Sequence, residues 1–287
     1  MNVLSLFDGM SCGQIALNRL GIEYDNYFAS EIDPHAIKVT QYNYPNTKQI
    51  GSVTEVIGKD LPKIDLLFGG SPCQGFSFAG KQLNFDDPRS ALFFEFVRVL
   101  RETNPTYFLL ENVNMKQEFQ DVISELLGVK PIKINSALVS AQNRVRLYWT
   151  NIPNVEQPED KCIFIKDILE LNGEFRYLDP HKVINIHNTK NYIGYDPNNT
   201  GHKSQSHRIY NVYSKMGCLN TWSHSLAKVE DLDNLYRHLL PIEMERLQTV
   251  PEGYTKPARD VEAARMLGNG WTVDVIAHIF KDLDILL

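Results

Sequence analysis

The chain has 287 residues, enough for one large domain or for a large and a smaller one with a sizeable core. Its 43% hydrophobic and 22% charged residues are ordinary for a soluble globular protein, and no apolar run approaches the ~20 residues of a membrane span. The net charge of −6 argues weakly against a nucleic-acid partner. The four cysteines (Cys12, Cys73, Cys162 and Cys218) are far apart, and residues 2–7 carry no signal-peptide pattern, so we expect a cytoplasmic protein without metal or membrane contact.

The first half of the chain alternates short apolar runs with amphipathic stretches, the pattern of a mostly parallel sheet wrapped by helices. Strands are predicted, in chain order, over residues 3–7, 27–30, 64–68, 107–110, 132–139 and 145–149. Helices are predicted over residues 14–20, 34–42, 90–102 and 119–127. We therefore predict an α/β fold with a doubly wound, mostly parallel sheet.

The second half of the chain is different in character, because prolines, acidic residues and short polar segments follow residue 151. We predict a first domain over residues 1–153, a smaller domain over 154–256, and a C-terminal helix over 257–287 that returns to the first domain. A short helix is expected to begin at Pro241, and the last helix at the run Gly268-Asn269-Gly270-Trp271.

Two strand ends carry features of a nucleotide-like site. The first strand leads into Phe7-Asp8-Gly9 and then Gly13, where glycines permit a tight turn and close backbone approach. The second strand ends at Glu31, and an acid there commonly accepts the hydroxyls of a ribose. Together these residues indicate an adenosine-containing cofactor, although the loop alone is equally typical of a plain strand–turn–helix.

Cys73 follows the third strand within a Gly/Pro/Ser turn, and Glu111 ends the fourth strand about forty residues later. A thiolate and an acid delivered at neighbouring strand ends are able to attack an electron-poor ring and manage its proton. A lone cysteine is more often a small buried hydrophobe, and a strand-end carboxylate more often caps a turn.

Arg144 and Arg146 are two residues apart, which would place both on one face of a strand. Guanidinium groups there are suited to bonding Glu111 and an oxygen of the substrate ring. Surface charges on an edge strand are the alternative.

The charge is uneven along the chain. Residues 181–228 contain one acid, Asp196, and six basic residues: Lys182, Lys190, Lys203, Arg208, Lys215 and Lys228. A solvated polar segment and a nucleic-acid surface explain this excess about equally well.

In this order, the motifs resemble the DNA (cytosine-5) methyltransferase family. The matching residues span nearly the whole chain: Phe7-Asp8-Gly9…Gly13, Glu31-Ile32, Pro72-Cys73-Gln74, Glu111-Asn112-Val113, Gln142…Arg144…Arg146, Arg237…Leu239…Pro241…Glu243…Arg246-Leu247-Gln248 and Gly268-Asn269.

The resemblance implies a class I methyltransferase-like fold with a target-recognition domain, S-adenosylmethionine as cofactor, and double-stranded DNA as partner. It implies methyl transfer to carbon 5 of a cytosine flipped out of the duplex, as in restriction-modification enzymes, through a covalent cysteine adduct. The implied catalytic residues are Cys73, Glu111, Arg144 and Arg146. The implied cofactor residues are Phe7, Asp8, Gly9, Gly13, Glu31, Ile32, Leu92, Asn269 and Trp271. The expected DNA contacts are Gln74, Ser77, Lys203, Arg208, Lys215 and Thr221.

Two rivals remain at this point. One branch of the same family acts on transfer RNA and tends to carry a Cys-Phe-Thr triplet, whereas the nearest match here is Cys218-Leu219-Asn220-Thr221. A catalytically dead DNA-binding relative is the other, and the presence of Cys73, Glu111 and both arginines argues against it.

Overall fold

The computed structural model describes residues 1–72, 88–179, 184–185, 192–195, 208–221, 228–230, 232–233 and 235–283. The predictions for Cys73, Gln74, Ser77 and Lys203 fall outside these residues. The chain divides into two compact units. The first contains Met1–Ile134, Val145–Gln157 and Ile276–Leu287, and the second contains Asn135–Arg144 and Pro158–Val275.

The strands and helices are as follows. The strands are β1 (Asn2–Leu6), β2 (Asn26–Ser30), β3 (Lys48–Gln49), β4 (Leu66–Gly69), β5 (Tyr107–Val113), β6 (Ile132–Asn135), β7 (Gln142–Asn143), β8 (Val145–Thr150), β9 (Ile184–Asn185), β10 (Tyr192–Tyr195), β11 (Arg208–Tyr210), β12 (Met216–Gly217), β13 (Lys228–Glu230) and β14 (Tyr236–His238). The helices are α1 (Cys12–Leu20), α2 (Pro34–Asn43), α3 (Pro88–Thr103), α4 (Gln117–Leu127), α5 (Pro241–Leu247), α6 (Asp260–Asn269) and α7 (Val273–Phe280).

The first unit is built on a seven-stranded sheet in the order β3-β2-β1-β4-β5-β8-β6. The neighbours from β3 to β5 pair in parallel, and β5 pairs with β8 antiparallel. Helices α1 to α4 alternate with these strands along the chain, as crossover connections between parallel strands require. The prediction of a doubly wound, mostly parallel α/β sheet is therefore confirmed.

The predicted periodicities account for how the helices of this unit pack. The aromatic face of α3 places Phe93 and Phe96 in the core, each at most 1% exposed, so these rings are packing residues as their spacing predicts. Helix α2 begins as the sequence indicates, with Pro34 at its first position and the Asp33 side chain accepting a hydrogen bond from the His35 amide.

In the second unit, the described strands form a five-stranded sheet in the order β14-β13-β11-β10-β9, and β7 pairs separately with β12. Helix α5 begins at Pro241, as predicted. Within the described residues, no helix is long and apolar enough to cross a membrane.

Two local predictions were wrong. The strand predicted over residues 132–139 ends at Asn135, because that side chain accepts a hydrogen bond from the Ala137 amide and caps a short 3-10 turn, Ser136–Leu138. The run predicted to begin the last helix instead ends α6, since Gly268 and Asn269 are its last residues and α7 starts at Val273.

The second unit contains a buried ion pair. Arg237 and Glu243 are 1% and 0% exposed, and two guanidinium nitrogens meet the two carboxylate oxygens at 2.7 and 2.9 Å. The Glu243 carboxylate also accepts hydrogen bonds from the amides of Leu240 and Glu170. The arginine and glutamate of this matched motif therefore hold one another, and they tie α5 to the preceding strand.

Candidate active site

The ends of four parallel strands lie side by side in the first unit. Leu6 is paired with Ser30 and with Gly69, and Gly69 is paired with Leu110, so these four residues form one row across the sheet. The next residues in each strand are Phe7, Glu31, Gly70 and Glu111, respectively. Because the carboxyl ends of parallel strands share one edge of a sheet, the predicted cofactor loop and the predicted catalytic acid lie along the same edge.

The loop after β1 has an unusual backbone. Phe7, Gly9 and Ser11 have φ angles of 57, 58 and 66°, in the left-handed region. Only glycine adopts this region freely, so Phe7 and Ser11 each carry strain on the order of 1 kcal/mol. Strained backbone of this kind clusters at ligand-binding and active sites, which is consistent with the predicted role of the loop.

Asp8 is buried in this loop at 9% exposure. Its Oδ1 atom accepts a hydrogen bond of 2.7 Å from the Tyr27 hydroxyl, whereas its buried Oδ2 atom has no hydrogen-bond partner among the described residues. Burial raises the pKa of Asp8 to about 6, against the opposing effect of hydroxyl groups that include those of Ser5 and Tyr27. A buried acceptor without a partner is rare in a folded protein and requires a donor from a water molecule or a ligand.

The raised pKa of Asp8 predicts a stability cost. A raised carboxyl pKa means that the folded state binds the proton more tightly, so stability falls as the pH rises through the interval from about 4 to about 6. Above that interval the ionised form costs about 3 kcal/mol. We expect Asp8→Asn to raise the free energy of unfolding by about 1–2 kcal/mol at pH 8, because the new amide itself lacks a partner, and by much less at pH 5. Urea unfolding at both pH values measures this, and a less stable variant at pH 8 would contradict it.

Glu31 is held in a fixed orientation. Its Oε2 atom accepts a 2.7 Å hydrogen bond from the Gly9 amide, and its Oε1 atom accepts 2.8 Å hydrogen bonds from the amides of Ile32 and Asp33. The carboxylate therefore links the end of β2 to the loop after β1. Ile32, beside it, is 73% exposed, which leaves a bare apolar surface next to a fixed acid.

The remaining predicted cofactor residues of this unit, Gly13 and Leu92, pack against hydrophobic residues. Gly13 packs so closely on Phe68 that a Cβ atom there would lie 2.3 Å from the phenylalanine ring, so only glycine fits. Leu92 is partly buried and packs against the hydrophobic core of the unit.

Glu111 is 8% exposed and forms an ion pair with Arg146, whose Nε atom lies 2.9 Å from the carboxylate. The antiparallel pairing of β5 with β8 explains this contact. Glu111 is paired with Tyr148, and Arg146 lies two residues before Tyr148 on β8, so Glu111 and Arg146 are diagonal neighbours on the same face of the sheet. The predicted contact between Arg146 and the acid is thus present.

The residue after Glu111 ties two strand ends together. The side-chain amide nitrogen of Asn112 donates to the Ser71 hydroxyl at 3.2 Å and to the Ser71 carbonyl oxygen at 3.4 Å, and both residues are buried. Ser71 precedes Cys73 by two residues in the chain. The acid-bearing strand therefore holds the start of the segment that contains the predicted nucleophile.

Arg144 differs from the prediction that both arginines share one strand face. It lies between β7 and β8, and its guanidinium is buried in the second unit, where it donates to the carbonyl oxygens of Leu219, Gly268 and Gly270 and lies 2.9 Å from the Cys218 sulfur. The strand is interrupted at this residue, whose side chain donates to carbonyl groups. Its implied catalytic role stays a prediction.

Asn269 and Trp271, also predicted for the cofactor site, belong to the second unit, the former exposed and the latter partly buried. Of the expected DNA contacts in this unit, Thr221 is exposed, and Arg208 lies partly buried on β11. Lys215 donates to the carbonyl oxygens of Ala137 and Ser140 and forms an ion pair with Asp160 at 3.3 Å. These contacts with DNA remain predictions.

Lys228, counted above in the basic segment, is only 2% exposed, so it adds little to a surface charge. The basic excess available at the surface is therefore smaller than the sequence indicates.

Sequence reasoning missed the hydroxyl groups that surround Asp8. Tyr27 was predicted only as a strand residue, because an aromatic side chain in an apolar run gives no sign of where its hydroxyl points. Among the described residues, no cluster of histidine, cysteine and acidic side chains is suited to hold a metal ion.

The sheet order and the loops at its carboxyl edge are those of a class I methyltransferase. The family described as C-5 cytosine-specific DNA methylase matches residues 1–284. The chain is 30% identical to the type II methyltransferase M1.ScrFI of Lactococcus lactis subsp. cremoris, over 98% of this chain and 77% of that protein. It is 29% identical to the type II methyltransferase M.NlaX of Neisseria lactamica, over 98% of this chain and 95% of that protein.

Among solved structures, the Entamoeba histolytica methyltransferase EhMeth superposes with a TM-score of 0.77 at 18% identity, covering 99% of this chain and 98% of that one. The chain belongs to the C-5 cytosine-specific DNA methylase family and is a DNA (cytosine-5) methyltransferase.

Proposed function

We propose that this methyltransferase uses S-adenosylmethionine to methylate carbon 5 of cytosine within a specific sequence of double-stranded DNA, in the bacterial or phage-infected cytoplasm. The observation that carries the proposal is the row of strand ends, Leu6, Ser30, Gly69 and Leu110. It sets the loop that contains Asp8, the fixed carboxylate of Glu31, the segment leading to Cys73 and the acid Glu111 along one edge.

The residues of the first unit fit the cofactor. The orphaned Oδ2 atom of Asp8 is a buried acceptor for a donor group of a cationic ligand. Glu31 is partly exposed and offers its fixed carboxylate to ribose hydroxyls, and exposed Ile32 offers an apolar face for a purine ring. When bound, S-adenosylmethionine supplies an electrophilic methyl group.

The protein's own residues prepare the cytosine. The Cys73 thiolate adds to carbon 6 while Glu111 gives a proton to ring nitrogen 3, and carbon 5 becomes an enamine nucleophile. After carbon 5 is methylated, a base removes its proton, the Cys73 thiolate leaves, and ring nitrogen 3 returns its proton to Glu111, which restores the aromatic ring and the free enzyme. Arg146 keeps the Glu111 carboxylate in position through their 2.9 Å ion pair.

A cytosine inside a duplex cannot reach a thiol on a strand end, so base flipping is part of the proposal. We assign target recognition to the second unit, which contains Arg208, Lys215 and Thr221. A groove-reading role there follows from the predicted DNA contacts, with direct readout of base edges setting the sequence.

The function is tested by incubating the protein and S-adenosylmethionine with unmethylated duplex DNA, followed by bisulfite sequencing. We expect protection of cytosine in one recurrent sequence, with none when S-adenosylmethionine is omitted. Parallel reactions with transfer RNA and single-stranded DNA of the same sequence serve as controls. Protection of RNA alone, or of no cytosine at all, would contradict the proposal.

A further inference from the structure

Tyr27 connects the sheet to the cofactor loop. Its ring lies on β2 at 2% exposure, and its hydroxyl donates a 2.7 Å hydrogen bond to the Oδ1 atom of Asp8. The Oδ2 atom of Asp8 is buried and has no hydrogen-bond partner among the residues that the structure describes. One oxygen of the carboxylate is therefore anchored, and the other is left for a ligand.

From this geometry we infer that Tyr27 is a positioning residue for methyl-donor binding: its hydroxyl holds the Asp8 carboxylate in the orientation that leaves Oδ2 for the cofactor. The inference rests on the proposed function, in which Asp8 contacts S-adenosylmethionine. It assigns to a residue outside the matched motifs a role in binding.

Two serines, Ser5 and Ser11, also lie near Asp8 and lower its pKa. Ser11 has one hydroxyl proton, and its oxygen lies 3.0 Å from the Gln14 Oε1 atom but 3.4 Å from the Tyr27 hydroxyl. The Gln14 amide is itself fixed, because its Nε2 atom donates to the Tyr24 hydroxyl at 2.8 Å. Ser11 thus has its shorter contact with Gln14, whereas Tyr27 donates a 2.7 Å hydrogen bond to the Oδ1 atom of Asp8.

Tyr27 remains a donor across the working pH range. Burial and the adjacent Asp8 charge raise the pKa of Tyr27 well above its ordinary value, so the phenol stays protonated. The pKa of Asp8 depends on more groups. Burial and the Glu31 charge raise it, while the hydroxyls of Ser5, Tyr27 and Ser11 lower it. Removing the Tyr27 hydroxyl therefore raises the pKa of Asp8 further above about 6.

The consequence for binding follows from charge. S-adenosylmethionine carries a cationic sulfonium and ammonium group, so the ionised carboxylate attracts it and the protonated one does not. Affinity should fall as the pH drops through the pKa of Asp8, and in Tyr27→Phe that fall should begin at a higher pH.

The experiment is calorimetric titration of the full-length protein with S-adenosylmethionine from pH 5.5 to 8.5. Tyr27→Phe keeps the buried ring, and Tyr24→Phe is the matched control, because the Tyr24 hydroxyl bonds Gln14 and Asn18 rather than Asp8. We expect the midpoint of the pH dependence of Tyr27→Phe to lie roughly one unit higher, so that this variant binds about twofold more weakly at pH 7 and nearly tenfold more weakly at pH 5.5. Tyr24→Phe should match the wild type in both respects. Thermal unfolding of each variant verifies that it is folded.

Three results would overturn the inference. Wild-type affinity in Tyr27→Phe would do so, and so would a uniform loss of affinity with an unchanged midpoint, which is the signature of a merely structural role. Binding by the wild type without any step near pH 6 would exclude Asp8 as the titrating contact while leaving the proposed function intact. Failure of the wild type to bind S-adenosylmethionine at any pH would instead overturn the proposed function.

Discussion

Cys73→Ser is expected to abolish methyl transfer to DNA while leaving cofactor and DNA binding unchanged. A free thiol ionises near pH 8.5, whereas an alkoxide is not available near neutral pH, so the serine cannot add to carbon 6. Without that addition carbon 5 has no enamine character, and we expect the rate to fall by roughly 10⁴-fold or more, the scale of a lost nucleophile. Methyl incorporation into duplex DNA under single-turnover conditions measures the effect.

Cys162→Ser provides the matched control, because Cys162 is an exposed free cysteine of the second unit. The same change of sulfur to oxygen there should leave the rate unchanged. If Cys73→Ser retained a near-native rate while Cys162→Ser lost activity, the assignment of Cys73 as the nucleophile would be wrong.

The arrangement of strand ends was predictable from sequence, because apolar runs alternating with helices leave little choice of topology. Strands joined by helical crossovers pair in parallel, and their carboxyl ends then meet at one edge. Glu31 and Glu111 follow apolar runs directly, so their placement at that edge needed no side-chain information. The contact of Arg146 with Glu111 was also predictable, since both lie near strand ends and carry opposite charge.

The sequence alone did not predict which residues a buried side chain contacts. Arg144 and Arg146 are two residues apart, yet one is drawn to carbonyl groups of the second unit and the other bonds an acid of the first. The hydroxyl of Tyr27 meets Asp8 nineteen residues away in sequence, through packing of β2 against the loop after β1. Such contacts depend on tertiary packing, which leaves no periodic signal in the sequence.

The same limit applies to the segment that contains Arg237 and Glu243. This segment matched a family motif and was predicted to form a short helix, but the sequence pattern did not explain why an arginine and a glutamate occupy these two positions. The structure supplies that reason as a buried, two-pronged ion pair. A motif of this kind therefore marks the stability of the second unit rather than its chemistry.

Arg237→Ala is accordingly expected to lower the free energy of unfolding by about 3–5 kcal/mol, the largest stability effect that we predict. The substitution leaves the Glu243 carboxylate, 0% exposed, without its cation in a site that water does not reach. It also removes the guanidinium from above the Phe175 ring, where it lies 4.2 Å from the ring centroid. Urea unfolding followed by circular dichroism measures the change.

Two further variants test whether the lost stability comes from the uncompensated Glu243 charge or from the removal of an arginine in general. Arg259→Ala removes an 84% exposed arginine that bonds Glu262, and exposed ion pairs contribute at most about 1 kcal/mol, so this variant should be nearly as stable as the wild type. The double variant Arg237→Met with Glu243→Met removes both buried charges and should recover much of the lost stability, because the main cost of Arg237→Ala is an uncompensated charge. A double variant as unstable as Arg237→Ala would show instead that the shape and hydrogen bonds of the pair, rather than charge compensation, hold the second unit together.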